Sequence, residues 1–198
     1  MSPTAVLEFW FGTDRARALR DPARSRLWWR KGAATDADIR AHFGTWVAAA
    51  LAGRLHRWAD EPDGLLALVL LADQFTRNIH RDTPAAFAGD PLALAWCRKG
   101  IAAGLEARLT AAERAFLYMP LEHSELLADQ DECVAHFEQL AAESAPADRG
   151  ALAGMLDYAR RHREVIRRFG RFPHRNAILG RTSTTEEVAF LQIPGSRF

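Results

Sequence analysis

Two strings in this chain set an arginine beside an asparagine and place a second arginine a few residues on. The first is Asp73-Gln74-Phe75-Thr76-Arg77-Asn78, followed by Arg81; the second is Phe172-Pro173-His174-Arg175-Asn176, followed by Arg181. A guanidinium is a planar fork of donors that grips carboxylate or phosphate with two parallel bonds. Each string lies at a helix boundary. Around the second, Gly170 ends one helix, Pro173 opens a short one, Gly180 closes it, and a further helix opens near Thr184. Helix N-termini carry unpaired N–H groups and roughly half a positive charge, which suits an anion. Arg77, Asn78, Arg175, Asn176 and Arg181 are therefore candidates to hold a small molecule bearing phosphate or carboxylate. The same residues can instead brace the fold, with Arg77 or Arg175 paired internally to Asp73 or Glu125.

Proton-transfer candidates lie nearby in type. In Tyr118-Met119-Pro120-Leu121-Glu122-His123-Ser124-Glu125, Pro120 is expected to break one helix and Ser124 to cap the next. His123 and Glu125 then sit at a joint, where a histidine beside carboxylates can act as general base or shuttle; a capping arrangement with a solvated histidine is the plainer alternative. His174 is a second acid/base candidate. His162 falls in the apolar stripe of its helix, either as a hydrogen-bonded core residue or as a pocket wall facing His174.

Other chemistries find little support. There is no HExxH, GxSxG, GxGxxG or GxxxxGK[ST] string. Glu125, Asp129, Glu132 and His136 share one helix face, but it opposes the apolar stripe and reads as solvated, so neither a metal nor another cofactor is expected. The arginines from Arg160 to Arg171 suit the C-terminal end of a helix dipole, and the six tryptophans suit a core. With a formal net charge of +1, no bulk field draws the chain to nucleic acid or to a membrane.

The elements that must position these residues read as helices. The chain has 198 residues, 48% hydrophobic and 26% charged, enough for one domain spanning 1–198. Strand patterning is scarce, and helix punctuation is frequent. Asp90-Pro91 and Thr83-Pro84 read as N-caps followed by proline; Thr110 with Glu113 and Thr184 with Glu187 fit the capping box. The spacing predicts main helices over 36–51, 64–77, 91–103, 111–119, 125–142 and 147–169, with short ones at 4–10, 173–179 and 184–192. Helix 64–77 is apolar on most sides and should be central. Two cysteines without CxxC spacing, no signal-peptide pattern and no long apolar run give a cytoplasmic expectation.

Val6-Leu7-Glu8-Phe9-Trp10-Phe11-Gly12, the Asp73–Asn78 string, Tyr118–Glu125 and Phe169–Thr184 resemble, in order and over nearly the whole chain, the bacterial family called domain of unknown function 924. The resemblance implies an all-α fold of antiparallel helix pairs, wound as a tetratricopeptide-repeat-like right-handed superhelix. It brings no established activity. Asp73, Arg77, Asn78, His123, Glu125, His162, His174, Arg175 and Asn176 match motif positions. Two positions depart: Thr76 stands where the family has Pro, leaving the helix end less rigidly set, and Glu122 stands where an apolar residue is common.

Two functions follow from these residues. In one, the Asp73–Asn78, Glu122–Glu125 and His162–Arg181 segments converge on a pocket for a small anionic ligand. There His123 or His174, assisted by Glu125, would support hydrolysis or group transfer. In the other, the helices form a non-catalytic scaffold for a protein partner, and the Arg-Asn pairs are braces. The sequence does not determine the oligomeric state.

Overall fold

The computed structural model describes residues 2–196, which leaves the two ends of the expected 1–198 domain outside the described residues. Among the described residues ten α-helices follow one another and there is no strand. α1 (Pro3–Phe11) starts with proline in its first turn, with the Ser2 hydroxyl accepting from the Ala5 N–H. α2 (Pro22–Trp29) repeats the device, with Asp21 accepting from Ala23 N–H at 2.7 Å. α2 was not expected: its apolar residues Leu27, Trp28 and Trp29 crowd one end and show no periodicity. α3 (Ala33–Leu51) runs one turn earlier than the periodicity indicated.

The central helix is not a single α-helix. α4 (Pro62–Leu70) is followed by a π-helical turn at Leu71–Phe75, and only then by α5 (Thr76–Ile79). A π-turn shifts the hydrogen-bond register by one residue and leaves a carbonyl in need of a donor. The Thr76 hydroxyl supplies it, donating to Leu71 O at 2.8 Å. The expectation that Thr in place of Pro would loosen this end is corrected: Thr76 closes the turn with a bond that Pro lacks. Central placement of the segment does hold. Leu65, Leu66, Leu68, Val69, Leu70, Leu71 and Phe75 are all buried, and Trp10 packs on Phe75 and on Phe116 with ring centroids 5.3 and 5.5 Å away.

α6 (Asp90–Ala102), α7 (Ala111–Glu122), α8 (Leu127–Glu143) and α9 (Arg149–Phe169) follow, each packed on the next. α7 starts with the expected Thr110–Glu113 capping box. It does not end at Pro120, which lies inside the helix; the ring removes one N–H, and the turn continues to Glu122 because its side chains are buried. α9 ends at Gly170, whose φ of 68° is the left-handed cap that glycine adopts without cost. The predicted helix at 173–179 shrinks to a single 3-10 turn, Pro173–Arg175. α10 (Thr185–Phe190) opens with the second capping box. Val165, Ile166 and Phe172 form a small separate apolar cluster that seats this C-terminal segment, with Phe169 and Phe190 against it. No helix of the described residues is long and apolar enough to cross a membrane.

Candidate functional site

Asp73 lies inside the π-turn and is fully buried. An isolated buried carboxylate would be strongly destabilised, so its partners define the site. Arg77 Nη1 donates to Asp73 Oδ1 at 2.7 Å, Gln74 Nε2 donates to Oδ2 at 2.6 Å, and His123 Nδ1 lies 2.7 Å from Oδ1. Burial alone would raise the Asp73 pKa, but the Arg77 charge and the His123 contact outweigh it and hold it well below the usual range. Arg77 also reaches Asp90 at the start of α6 through two bonds, at 2.7 and 3.1 Å.

Gly89 makes that reach possible. A Cβ at position 89 would stand 2.0 Å from the Ala72 carbonyl oxygen, so only glycine lets the start of α6 press against the π-turn. The Asp90 side chain is therefore not an N-cap, as Asp90-Pro91 suggested; α6 has no side-chain cap, and the carboxylate serves Arg77 and Arg175.

Arg175 differs from Arg77. Its residue exposure is 6%; among the described residues its guanidinium makes one hydrogen bond, to Asp90 Oδ2 at 3.4 Å, and its Nε has no partner. The guanidinium lies between the rings of Phe172 and Phe87, 4.5 and 4.8 Å from their centroids. Burial, then the charge of Arg77, lowers its pKa to about 10.

Burial lowers the pKa of His123, His162 and His174. Burial and Arg77 depress His123, with Asp73 only partly opposing them. In the neutral ring, Nδ1–H donates to Asp73 and Nε2 keeps its lone pair, the tautomer a general base requires. His162 is buried, with Nδ1 3.0 Å from Tyr158 O, and is depressed far below the ordinary histidine value chiefly by burial. It packs on Phe172, 5.4 Å between centroids, as a hydrogen-bonded core residue would. His174 is pushed down to about 3 by burial, with Arg175 and Lys31 adding to it. Glu122 is buried 3.6 Å from His162 Nδ1, and burial together with the Asp73 charge raises it to about 8. Gln130 fixes this corner by donating to the carbonyls of Glu122 and Ser124 at 2.6 and 2.7 Å.

The remaining predicted site residues are engaged elsewhere. Glu125 does not assist His123: it takes two bonds from Arg181, at 2.6 and 2.9 Å, and accepts from Phe172 N–H at 2.8 Å. Asn78 and Arg81 both bind Asp36 on α3. Asn176 donates to Ser183 and to Glu187, while Arg171 grips Glu187 with bonds of 2.6 and 2.8 Å. These are braces. The carboxylate face of α8 is not wholly solvated either, because Asp129 is buried against Arg98. Asp90, Phe87 and Gln130 escaped the sequence reading; Asp90 stood out only as a cap, and the other two carried no pattern.

An all-α chain with a buried Asp–His pair and clustered arginines matches a known family. The match to the bacterial proteins of unknown function grouped as DUF924 spans residues 6–195, and the chain belongs to that family. The solved structure of a protein of unknown function from Agrobacterium tumefaciens is similar, with 32% identity, 96% of each chain covered and a TM-score of 0.80. No curated protein matches the chain.

Proposed function

We propose that Arg175 anchors a site for a small carboxylate- or phosphate-bearing molecule, with the Asp73–His123 pair beside it as general base. The observation that carries this reading is the bonding state of Arg175. A guanidinium has five N–H donors, and among the described residues this buried one makes a single long bond. A buried donor without a partner costs about 1–3 kcal/mol, more when charged, and such groups persist where a ligand completes them. An anion on Arg175 would take the open donors and offset a charge that Asp90 shares with Arg77.

The chemistry open to this arrangement is proton abstraction at His123 Nε2, held by Asp73 much as a carboxylate orients histidine in a hydrolase. Glu122, protonated at neutral pH, is the complementary acid. Hydrolysis or group transfer on the bound anion is the reaction class that uses both. The two buried free cysteines suit a reducing, cytoplasmic setting. The succession of α6 to α9, each on the next, supports a tetratricopeptide-like path for this half.

The test is thermal denaturation of the wild type and of Arg175→Gln with inorganic phosphate, acetate and citrate. A ligand present at a hundred times its dissociation constant stabilises the fold by about 2.7 kcal/mol. The wild type should shift with at least one of these anions, and Arg175→Gln, folded by circular dichroism, should not. An equal shift in both proteins would refute the anchor. No shift in either would leave the scaffold reading, which the exposed Leu126 and Leu127 favour as a protein-docking edge.

A further inference from the structure

A separate open cleft of about 620 Å³ lies between α1, α2, the joint from α2 to α3, and the first two turns of α3. Arg24, Arg26, Arg30 and Lys31 line it, with Glu8 and Asp38 also in its wall.

Many of the other arginines are paired with carboxylates, although Arg54, Arg57 and Arg149 have no ion-pair partner among the described residues. Arg81 holds Asp36, Arg98 holds Asp129, Arg114 holds Glu143, and Arg171 holds Glu187. Arg26 and Arg30 are exposed and have no ion-pair partner among the described residues. Arg26 lies in the last turn of α2 and Arg30 is the extended residue that caps it, and both line the cleft. The α2 dipole favours positive charge at this end, but Arg26 and Arg30 line the cleft without a carboxylate within ion-pair distance, although Glu8 and Asp38 lie in the same wall. Arg24 plays another part, donating to Phe9 O and lying 3.6 Å from Asp21, so it braces the wall.

From this cleft we infer a second anion site, on Arg26 and Arg30, for the diphosphate or triphosphate group of a small molecule. The class follows from the setting. These side chains are in water, where one ion pair contributes little, so a single carboxylate gains too little to stay. A ligand with several adjacent negative charges engages both guanidinium groups together, each as a bidentate fork. Long polyanions are disfavoured, because Glu8 and Asp38 interrupt the basic wall and the chain's formal net charge is only +1. The site does not depend on Arg175, which is buried in a different cluster.

Titration calorimetry of the full chain with sodium tripolyphosphate at low salt tests the inference. The wild type should bind, and added salt should weaken the binding. The Arg26→Gln/Arg30→Gln double variant should bind about tenfold more weakly, with an unchanged melting temperature because both side chains are exposed. Arg175→Gln should bind tripolyphosphate as the wild type does. Absence of binding by the wild type, or equal affinity in the double variant, would overturn the inference. Loss of binding in Arg175→Gln alone would place the polyphosphate in the buried cluster and overturn it as well, while supporting the Arg175 anchor.

Discussion

Arg77 and Arg175 come from strings that look alike, yet one guanidinium is saturated and the other is not. Arg77 touches two carboxylates, Asp73 from its own turn and Asp90 from α6. Arg175 reaches only the far oxygen of Asp90, and its flat faces rest on Phe87 and Phe172. An arginine followed by an asparagine therefore says little about function. The carboxylates that other segments bring to it decide whether it braces or binds. Asp90 serves both guanidinium groups, and the second receives what the first leaves.

The largest effect should come from removing the saturated partner. Arg77→Gln strands Asp73 and Asp90 in a poorly solvated corner, and breaking a buried pair in this way costs about 3–5 kcal/mol. Arg175→Gln removes a charge that was already under-bonded and should cost about 1 kcal/mol or less. Urea unfolding of the two variants measures the difference directly. Equal losses would mean that Arg175 is a brace like Arg77, and the contrast between them would collapse.

Glu122 gives a second lever, through pH. Its folded pKa of about 8 lies above the ordinary 4.5, so folding favours the protonated form. The stability it contributes is complete below about pH 4.5 and is lost as pH rises through about 8. The loss approaches about 1.4 kcal/mol per pH unit between those values. Glu122→Gln, which stays neutral, should flatten this slope: between pH 6 and 8 the wild type should lose up to about 2–3 kcal/mol that the variant keeps. Asp73 has the opposite sign, since its carboxylate is held low and its contribution fades only in acid. His174 also weakens the fold on the acid side, as pH falls from the ordinary histidine value toward about 3. Parallel urea midpoints for wild type and Glu122→Gln across pH 6–8 would show that Glu122 is ionised in the folded protein, and the acid role proposed for it would fail.

Much of this architecture is legible in the residues, for reasons that stay local. The two capping boxes, the Gly170 cap and the apolar surround of α4 all follow from side chains acting on their own helix. The failures are where a distant contact overrides the local signal. Pro120 reads as a break, but burial on both sides carries α7 past it. The π-turn leaves no mark, because one extra residue in a fully buried run does not disturb an apolar pattern. Asp90 reads as a cap because sequence shows the neighbouring Pro91 and not Arg77, thirteen residues earlier, or Arg175, eighty-five later. Of the candidate site, Arg77, His123 and Arg175 are brought together as the motifs suggested. Asn78, Asn176 and Arg181 belong to braces that only the three-dimensional partners reveal.

The smallest effect should belong to Arg181. Its fork meets Glu125 in good bidentate geometry and also donates to Phe172 O, which ties the C-terminal loop to the joint before α8. Both side chains keep about a quarter of their surface in solvent, at 25% and 28%. Partly solvated pairs of this kind contribute about 1 kcal/mol or less. Arg181→Gln should therefore lower stability only slightly in urea, with a larger loss at low salt than at high salt because solvent ions already screen the pair. The anion-dependent thermal shift should survive, since Arg181 is spent on Glu125. If Arg181→Gln abolishes that shift as fully as Arg175→Gln does, the guest sits across both guanidinium groups. The division between a binding arginine and a bracing one would then have to be drawn on the other side of Arg181.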